Sequence, residues 1–259
     1  MTFTDAQQRF SNRVADYVRY RPGYPAGVLS FLAESCGLHR QHVIADVGSG
    51  TGLLSKLFLD NGNHVYGVEP NTEMRVAGEE LLHAYPNFAG VAGSAEATTL
   101  ADHSVDFVAV GQAFHWFDPV AAHQEFSRIL KPAGWVVVLC NDRLTDSTPF
   151  LRDYEALLRR FGTDYARVSD SYPRPEDMHA FFGQNTFLSR QLPNSQEFDF
   201  DGLRGRLRSS SYAPAADHPD FSHMMTELKH IFTAYQQEGI VRFDYRTIIY
   251  AGTLEPDRN

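Results

Sequence analysis

The sequence has little cysteine, no long apolar segment and no excess of basic residues. Its two cysteines, Cys36 and Cys140, are too few for a disulfide framework and show no metal-ligand spacing. No apolar run approaches the length of a membrane span, and the N-terminal segment lacks the apolar stretch of a secretory signal. We therefore expect a cytoplasmic protein with no membrane partner and no metal site.

The charge of the chain disfavours one further class of partner. Lysine and arginine number 23 against 32 acidic residues, which gives a formal net charge of −9. Because binding to a phosphate backbone needs a basic surface, we expect no nucleic-acid partner. The 259 residues, 43% of them apolar, can form one large domain or a core domain with a smaller cap.

The first half of the chain alternates short apolar runs with amphipathic stretches. Strands that alternate with helices predict an α/β fold with a parallel sheet covered on both faces. The later part of the chain is less regular and predicts mainly helices, with a strand or strand pair at 187–200. The strands predicted elsewhere are 43–47, 64–69, 88–92, 105–111, 135–139 and 241–254, and the clearest helices are 71–84, 149–161 and 221–237.

Three glycines, Gly48, Gly50 and Gly52, stand between the first predicted strand and the helix that follows it. In an open parallel sheet this loop lies at the carboxyl ends of the strands, where ligands bind. Glycine allows a close backbone approach and positive φ, and the helix start favours an anionic group. The loop therefore predicts a site for a small cofactor, with a tight turn as the alternative. The dinucleotide fingerprint would need glycine where Leu53 stands, which counts against NAD(P).

Glu69 ends the second predicted strand, within the segment "VYGVEP". A carboxylate at the end of this strand can accept both hydroxyls of a ribose. The alternative is an acidic residue that only favours the start of the next helix, near Asn71.

The pattern D-x-G-x-G-x-G, from Asp46 to Gly52, resembles the first motif of the class I S-adenosylmethionine-dependent methyltransferases. The segments "YVRYRPGYP" at 17–25 and "YRTIIYAG" near the C-terminus are similar to the small-molecule branch that includes the trans-aconitate-type enzymes. The resemblance implies a Rossmann-like, seven-stranded, mostly parallel sheet with helices on both faces and a helical cap. It implies S-adenosyl-L-methionine as cofactor and a small-molecule acceptor, with a carboxylate or hydroxyl favoured.

The resemblance also implies which residues bind the cofactor. In the family the glycine loop packs against the methionyl part, the acid of the second strand binds the ribose, and an Asp after the third strand bonds the adenine. Ser94 stands where that Asp is expected. The implied cofactor-binding residues are Tyr20, Arg21, Gly48, Ser49, Gly50, Glu69, Pro70, Met74, Ser94, Ala95, Glu96 and Gln112.

The segment "GQAFHWFD" follows the fourth predicted strand, where acceptor and methyl group meet in the family. It lacks the N/D-P-P-F/Y motif typical of enzymes that methylate nucleobases or glutamine amides. His115 is a candidate catalytic base for a hydroxyl or amine, with a residue of the pocket wall as the alternative. The aromatic residues Phe114, Trp116 and Phe117 suit a sulfonium or the core equally well.

The regions outside the core are expected to cover the site. We predict an N-terminal lid at 1–30, a cofactor-binding core at 31–142, a helical cap at 143–215, and a C-terminal helix and strand at 216–259. Arg21 of the lid is predicted to pair with the methionyl carboxylate, and a permanently docked strap is the alternative. Several other arginines of the cap suit carboxylates, but those at 204–208 are expected to form an exposed helix face.

Two other functions remain open from the sequence alone. One is an NAD(P)-dependent oxidoreductase built on a similar sheet, and the other is a cofactor-binding module without catalysis. The sequence specifies neither the acceptor atom nor the oligomeric state.

Overall fold

A single seven-stranded sheet organises the chain in the computed structural model, which describes residues 18–163, 165, 173–183, 187–210 and 212–254. The strand order is β3-β2-β1-β4-β5-β7-β6. The strands are β1 (Val43–Val47), β2 (His64–Val68), β3 (Phe88–Val91), β4 (Val105–Gly111), β5 (Leu130–Arg143), β6 (Leu188–Phe198) and β7 (Val241–Gly252).

The first five strands are parallel, and the last two are antiparallel to their neighbours. Chain order reverses between β1 and β4, which pair directly. Parallel sheets of this kind bind ligands in the crevice beyond the carboxyl ends of the strands at such a reversal. The predicted seven-stranded, mostly parallel sheet is confirmed, and the glycine loop lies at this reversal.

The described residues contain eight α-helices. Several begin at a side-chain cap; the Asp118 carboxylate, for example, accepts the backbone N–H groups of Val120 and Ala121. The helices are α1 (Gly27–Cys36), α2 (Leu53–Asn61), α3 (Thr72–Leu81), α4 (Pro119–Ile129), α5 (Pro149–Phe161), α6 (Pro175–Phe182), α7 (Phe200–Arg208) and α8 (Phe221–Tyr235).

Helices cover both faces of the sheet, as predicted. Alternate residues of β5 point to opposite faces, so Val136 and Val138 belong to one apolar core and Val137 and Leu139 to the other. The first core is closed by α4 and α6, and the second by α1 and α2. This double covering explains why the central strands are almost continuously apolar.

A third apolar core surrounds the first residues of β7 and forms the cap. Helices α5, α7 and α8 pack there around the start of β7, with Phe243 and Tyr154 among the fully buried side chains. A helical cap is therefore present, but its core includes α8 and the start of β7, which were predicted to belong with the core sheet as part of 216–259. The cap stands beside the carboxyl end of β5, next to the crevice.

The segment 187–200 is one strand rather than a pair. It runs antiparallel to β7 over its whole length, from Leu188 opposite Ala251 to Phe198 opposite Val241. The described residues of the region 143–215 thus supply the edge strand of the sheet as well as the helices α5, α6 and α7. Tyr17, the first residue of the predicted lid motif, lies outside the described residues.

Candidate functional site

All three glycines of the loop after β1 have left-handed backbone conformations, with φ of 70° at Gly48, 56° at Gly50 and 83° at Gly52. A Cβ at Gly48 would lie 2.6 Å from the Cβ of Ala113, and one at Gly52 would lie 2.5 Å from a leucine side chain. Packing against the Ala113 Cβ therefore requires glycine at Gly48 in addition to the backbone conformation, whereas at Gly52 the leucine side chain can move and the positive φ is the main constraint. A Cβ at Gly50 meets only the Met74 methyl group, at 3.3 Å.

Glu69 lies directly beyond β2 and is only 9% exposed. Its Oε2 accepts the backbone N–H of Gly50 at 2.9 Å, and its Oε1 accepts that of Asn71 at 2.9 Å. Burial raises the pKa of Glu69, although these two N–H groups oppose the rise. Each oxygen uses one of its acceptor positions, so the carboxylate keeps capacity for further donors. The side chain is thus fixed beside the glycine loop and able to bind hydroxyl groups.

Two buried polar atoms behind the loop have no hydrogen-bond partner in the described residues. They are Oδ1 of Asp46 and the hydroxyl oxygen of Thr51. The other carboxylate oxygen of Asp46 accepts the Ser55 hydroxyl at 2.6 Å. Burial raises the pKa of Asp46 to about 7.

The loop after β3 contains the three predicted adenine contacts, which occupy different environments. Ala95 is buried in the core, at 2% exposure. Glu96 accepts the backbone N–H of Asp118 at 3.0 Å and so supports the start of α4. The hydroxyl of Ser94 accepts the N–H of Glu96 at 3.3 Å, which leaves its own proton available to a ligand. Of these three side chains, that of Ser94 is therefore the one with a proton for a ligand to accept, and the adenine contact itself stays a prediction.

Gln112 follows β4 in a strained conformation, with φ of 56°. Its backbone N–H donates to the Leu139 carbonyl at 3.0 Å, and its Nε2 donates to the Asn141 carbonyl at 3.1 Å. Its Oε1 is buried and has no hydrogen-bond partner among the described residues. Backbone strain of this kind is concentrated at binding sites, and Gln112 lies at the reversal of strand order.

His115 lies in a short 3-10 turn, Phe114–Trp116, between β4 and α4. Its ring is 4.8 Å from that of Trp116, and burial lowers its pKa to about 4. The imidazole is therefore neutral near pH 7 and able to accept a proton, although it is a weak base.

A groove of about 980 Å³ opens beside this turn and reaches α6. Phe117 connects the groove to the glycine loop, because its ring lies 3.3 Å from where a Gly48 Cβ would stand. One wall is aromatic and the other is mainly charged. The lining residues include Phe114, His115, Phe117, His123, Arg174, Glu176, Asp177 and Phe181.

The N-terminal segment 20–25 is docked against the cap and the sheet edge. Asn141 and Asn194 both donate to the Gly23 carbonyl, at 3.1 and 2.9 Å. Arg21 donates to the Ser209 carbonyl at 2.8 Å. These contacts correspond to the docked strap rather than to an open lid. Tyr20, the other residue of this segment predicted to contact the cofactor, packs edge-on to the Phe198 ring, 6.5 Å away.

The prediction that the arginines at 204–208 form an exposed face of α7 is wrong for Arg206. Arg204 and Arg208 are exposed, but Arg206 is 5% exposed and bonds to Tyr245 and Ser210. The helix turns Arg206 toward the cap core because it lies on the face of Leu203 and Leu207.

Asn141 is a second residue that the sequence did not identify. It is buried at 2% and connects the carboxyl end of β5 to the strap and to β7. The one signal of this role in the sequence is that Asn141 is the first amide residue after the apolar run "WVVVLC".

Among the described residues, no group of three or more His, Cys, Asp or Glu side chains could hold a metal ion, and no helix is long and apolar enough to cross a membrane.

A protein-family model described as a methyltransferase domain matches residues 45–138, from β1 through most of β5. Among curated proteins, an uncharacterized methyltransferase of Schizosaccharomyces pombe is 33% identical over 251 residues, which are 95% of this chain and 97% of that protein. An uncharacterized methyltransferase of Mycobacterium tuberculosis is 33% identical over 66% of this chain and 67% of its own length.

Solved structures agree with this relationship at the level of the fold. A candidate type II methyltransferase of Anaeromyxobacter dehalogenans has a TM-score of 0.67 at 21% identity, covering 92% of this chain and 99% of that one. A methyltransferase of Geobacter sulfurreducens, solved with S-adenosyl-L-homocysteine, has a TM-score of 0.51 at 15% identity, covering 91% and 93%. The glycine loop and the buried acid after β2 agree with the similarity to a relative that is 33% identical over almost its full length. The chain therefore belongs to the methyltransferase family.

Proposed function

We propose that this methyltransferase transfers a methyl group from S-adenosyl-L-methionine to a small-molecule acceptor, at a carboxylate or a hydroxyl. The observation that carries the proposal is the position of Glu69. Its buried carboxylate binds the N–H groups of Gly50 and Asn71 and retains an acceptor position on each oxygen. A ribose diol needs this arrangement, two acceptors held rigidly at the end of β2.

The neighbouring residues fit the rest of the cofactor. The Oε1 of Gln112 and the hydroxyl proton of Ser94 have no hydrogen-bond partner in the described part of the chain; they lie at the same end of the sheet, and both suit polar groups of a ligand. The Met74 methyl group lies against Gly50 and offers an apolar surface for the adenine. Gly48, Ser49 and Gly50 would hold the methionyl part, with Pro70 beside the ribose. A dinucleotide fits less well, because Leu53 stands where its last glycine is needed.

Little covalent catalysis is required of the protein. S-adenosyl-L-methionine, when bound, supplies a methyl group already activated by the sulfonium. The chain's residues must hold the acceptor in line and keep water out, which the docked strap and the turn at 114–116 favour. Neutral His115 can take the proton of a hydroxyl acceptor, whereas a carboxylate acceptor is already ionised.

The acceptor is proposed to be a small molecule for two reasons. The net charge of −9 opposes a nucleic-acid backbone. The groove beside His115 also carries two carboxylates, Glu176 and Asp177, against one arginine, Arg174, so its lining has no excess of positive charge for a nucleic-acid backbone. A cytoplasmic setting is part of the proposal, because Cys36 and Cys140 are both buried and unpaired.

Two measurements test the proposal. Calorimetry with S-adenosyl-L-methionine, S-adenosyl-L-homocysteine and NAD should give binding of the first two only. Incubation with carboxylates, phenols and amines, with mass detection of a methyl addition, should identify the acceptor. Binding of NAD alone would indicate the oxidoreductase, and cofactor binding without turnover across the acceptors would indicate a binding module.

A further inference from the structure

A row of polar side chains continues past the cofactor crevice along one face of β5 and β7. Asn141 and Arg143 share this face, since they are two residues apart on β5. Tyr245 of β7 lies directly opposite Arg143 in the antiparallel pair. Asn141 is hydrogen-bonded through its carbonyl to Gln112, so the row begins at the proposed cofactor site and leads into the cap.

Arg206 of α7 lies over this row and is buried, and no carboxylate of the described residues pairs with it. Its Nε donates to the Tyr245 hydroxyl at 3.3 Å and its Nη1 to the Ser210 hydroxyl at 3.0 Å. Within the described part of the chain, these neutral oxygens are the hydrogen-bond partners of its guanidinium. A charge 5% exposed and paired only with neutral groups is costly, because burial removes its hydration.

Arg143 has donor capacity in the same place. Its Nη2 donates to Glu155 at 2.6 Å and to the Tyr165 hydroxyl at 2.8 Å. Its Nη1 is buried and, within the described residues, has no hydrogen-bond partner. Glu155 does not neutralise the cluster alone, since it also pairs with Arg159 at 2.9 Å.

Tyr154 is the third residue of this cluster, after Arg206 and Arg143. It is 1% exposed, and its ring lies below the Arg143 guanidinium, 5.2 Å from ring centre to Cζ. Its hydroxyl is buried and unpartnered in the part of the chain described. Nearby, burial opposes ionisation of Tyr212, but the guanidiniums of Arg206 and Arg143, with that of Arg21, outweigh burial and lower its pKa. The environment is therefore strongly positive.

We propose that Arg206, Arg143 and Tyr154 bind an anionic group of the acceptor, a carboxylate or a phosphate, that is not the group methylated. An anion would accept from the unpartnered Nη1 of Arg143 and the unpartnered Tyr154 hydroxyl and would neutralise Arg206. Arg143 lies two residues, about 7 Å of strand, beyond Asn141. An acceptor held at this cluster would extend along β5 toward the proposed cofactor site, which Asn141 adjoins through Gln112. The inference rests on the proposed methylation of a small molecule.

A purely structural cluster would have a different composition. Buried arginines that only stabilise a fold are normally paired with carboxylates, because the unpaired charge costs several kcal/mol. In this cluster, two donors have no partner among the described residues and one guanidinium has only neutral partners there, and the three groups come from β5, α5 and α7.

The test measures anion binding rather than turnover. Succinate and inorganic phosphate, each at millimolar concentration against sodium chloride of equal ionic strength, are titrated into the protein with S-adenosyl-L-homocysteine present. We expect one of the two to raise the Tm of the parent protein, and its identity distinguishes a carboxylate from a phosphate. Arg206→Met should remove the effect, and Tyr154→Phe should weaken the affinity about tenfold or more.

Arg204→Gln is the matched control, because Arg204 is on the same helix but exposed and paired with Asp201. It should bind the anion as the parent does. Without anion, Arg206→Met should be at least as stable as the parent, since an apolar side chain replaces an unneutralised charge. The proposal is overturned if neither probe stabilises the parent beyond sodium chloride, or if Arg206→Met retains the effect. Failure of S-adenosyl-L-homocysteine to bind the parent would instead contradict the proposed function and leave the anion titration interpretable.

Discussion

The Glu69 carboxylate accepts the backbone N–H of Gly50 at 2.9 Å, so the end of β2 and the glycine loop form one rigid unit. The other oxygen of Glu69 fixes the start of α3 through Asn71. The residue proposed to bind the ribose therefore also sets the shape of the loop proposed to hold the methionyl group. Cofactor affinity and loop conformation should respond together when Glu69 is changed.

Glu69→Ala is expected to weaken S-adenosyl-L-homocysteine binding by about 1.5–3 kcal/mol, the range for hydrogen bonds to a charged group. Calorimetry measures the change. Glu73→Ala is the control, because Glu73 is also acidic, lies in the first turn of α3 and is exposed. If the two variants bind equally well, Glu69 serves only the helix start and the ribose assignment is wrong.

Gly50→Val should abolish S-adenosyl-L-homocysteine binding in a folded protein. The side chain would impose strain at φ of 56° and occupy the space beside the Met74 methyl group. Gly239→Val separates the two effects, since Gly239 has φ of 80° and no atom within 4 Å of a Cβ. That control should lose about 1–2 kcal/mol of stability and keep its affinity. Tight binding by Gly50→Val would make the glycine a turn residue only.

The pH dependence of stability should reveal the buried Asp46. Burial raises its pKa from 3.8 to about 7, so between these values the folded state holds more protons than the unfolded state. The contribution of Asp46 to stability is therefore lost as pH rises, by up to about 1.4 kcal/mol per pH unit. Asp46→Asn should gain stability relative to the parent between about pH 4 and pH 7, as measured by denaturant unfolding.

The buried His115 should make stability depend on pH in the opposite direction to Asp46. Burial lowers its pKa from 6.5 to about 4, so the folded state resists protonation and stability is lost as pH falls through this range. The stability of His115→Gln relative to the parent should therefore rise as pH falls. A stability difference that does not change with pH, for either variant, would contradict the burial assigned to that residue.

The role of His115 in the reaction depends on the acceptor. With a hydroxyl acceptor, His115→Gln should lower kcat roughly a hundredfold, the usual contribution of a general base. With a carboxylate acceptor, which needs no base, kcat should change little. His123→Gln is a useful control, because His123 lines the same groove but is on α4. A large loss with a carboxylate acceptor would assign His115 to positioning.

The sequence predicted the parts of the fold whose burial is simplest. The central strands at 43–47 and 105–111 are apolar on both faces, so their type and bounds could be read directly. The edge strand β6 was predicted less definitely, as a strand or a strand pair at 187–200, because most of its side chains are at least partly exposed and no long apolar run marks it. Its pairing with β7, across more than forty residues of chain, is a tertiary contact that local patterns do not report.

The candidate site also has residues that the sequence could predict and residues that it could not. Glycines and an acid at strand ends are local features, and the sequence located Gly50 and Glu69 correctly beside each other. Arg206 was expected at the surface, because arginine is rarely buried and the pattern does not indicate what lies above a helix face. Asn141 acts through partners on three other segments, among them the strap and β7, which only the folded chain brings together.

Asn141 connects the N-terminal strap to β7. Its Nδ2 holds the carbonyl of Gly23 at 3.1 Å, and its Oδ1 accepts the Thr247 hydroxyl at 2.6 Å. If the strap is docked permanently, hydrogen exchange in residues 18–25 should already be slow without cofactor. Asn141→Ala should accelerate that exchange and cost about 1–3 kcal/mol of stability through the lost buried hydrogen bonds.

Asn63→Ala provides the comparison that makes the strap experiment specific. Asn63 is fully buried and its amide also donates to two backbone carbonyls, those of His39 and His42, far along the chain from the strap. It should cost a similar stability and leave exchange in residues 18–25 as it is in the parent. A lid would behave differently, because its exchange would be fast without ligand and slow once S-adenosyl-L-homocysteine is added. That result, with Asn141→Ala unchanged, would rule out the docked strap and support closure of the lid over the cofactor.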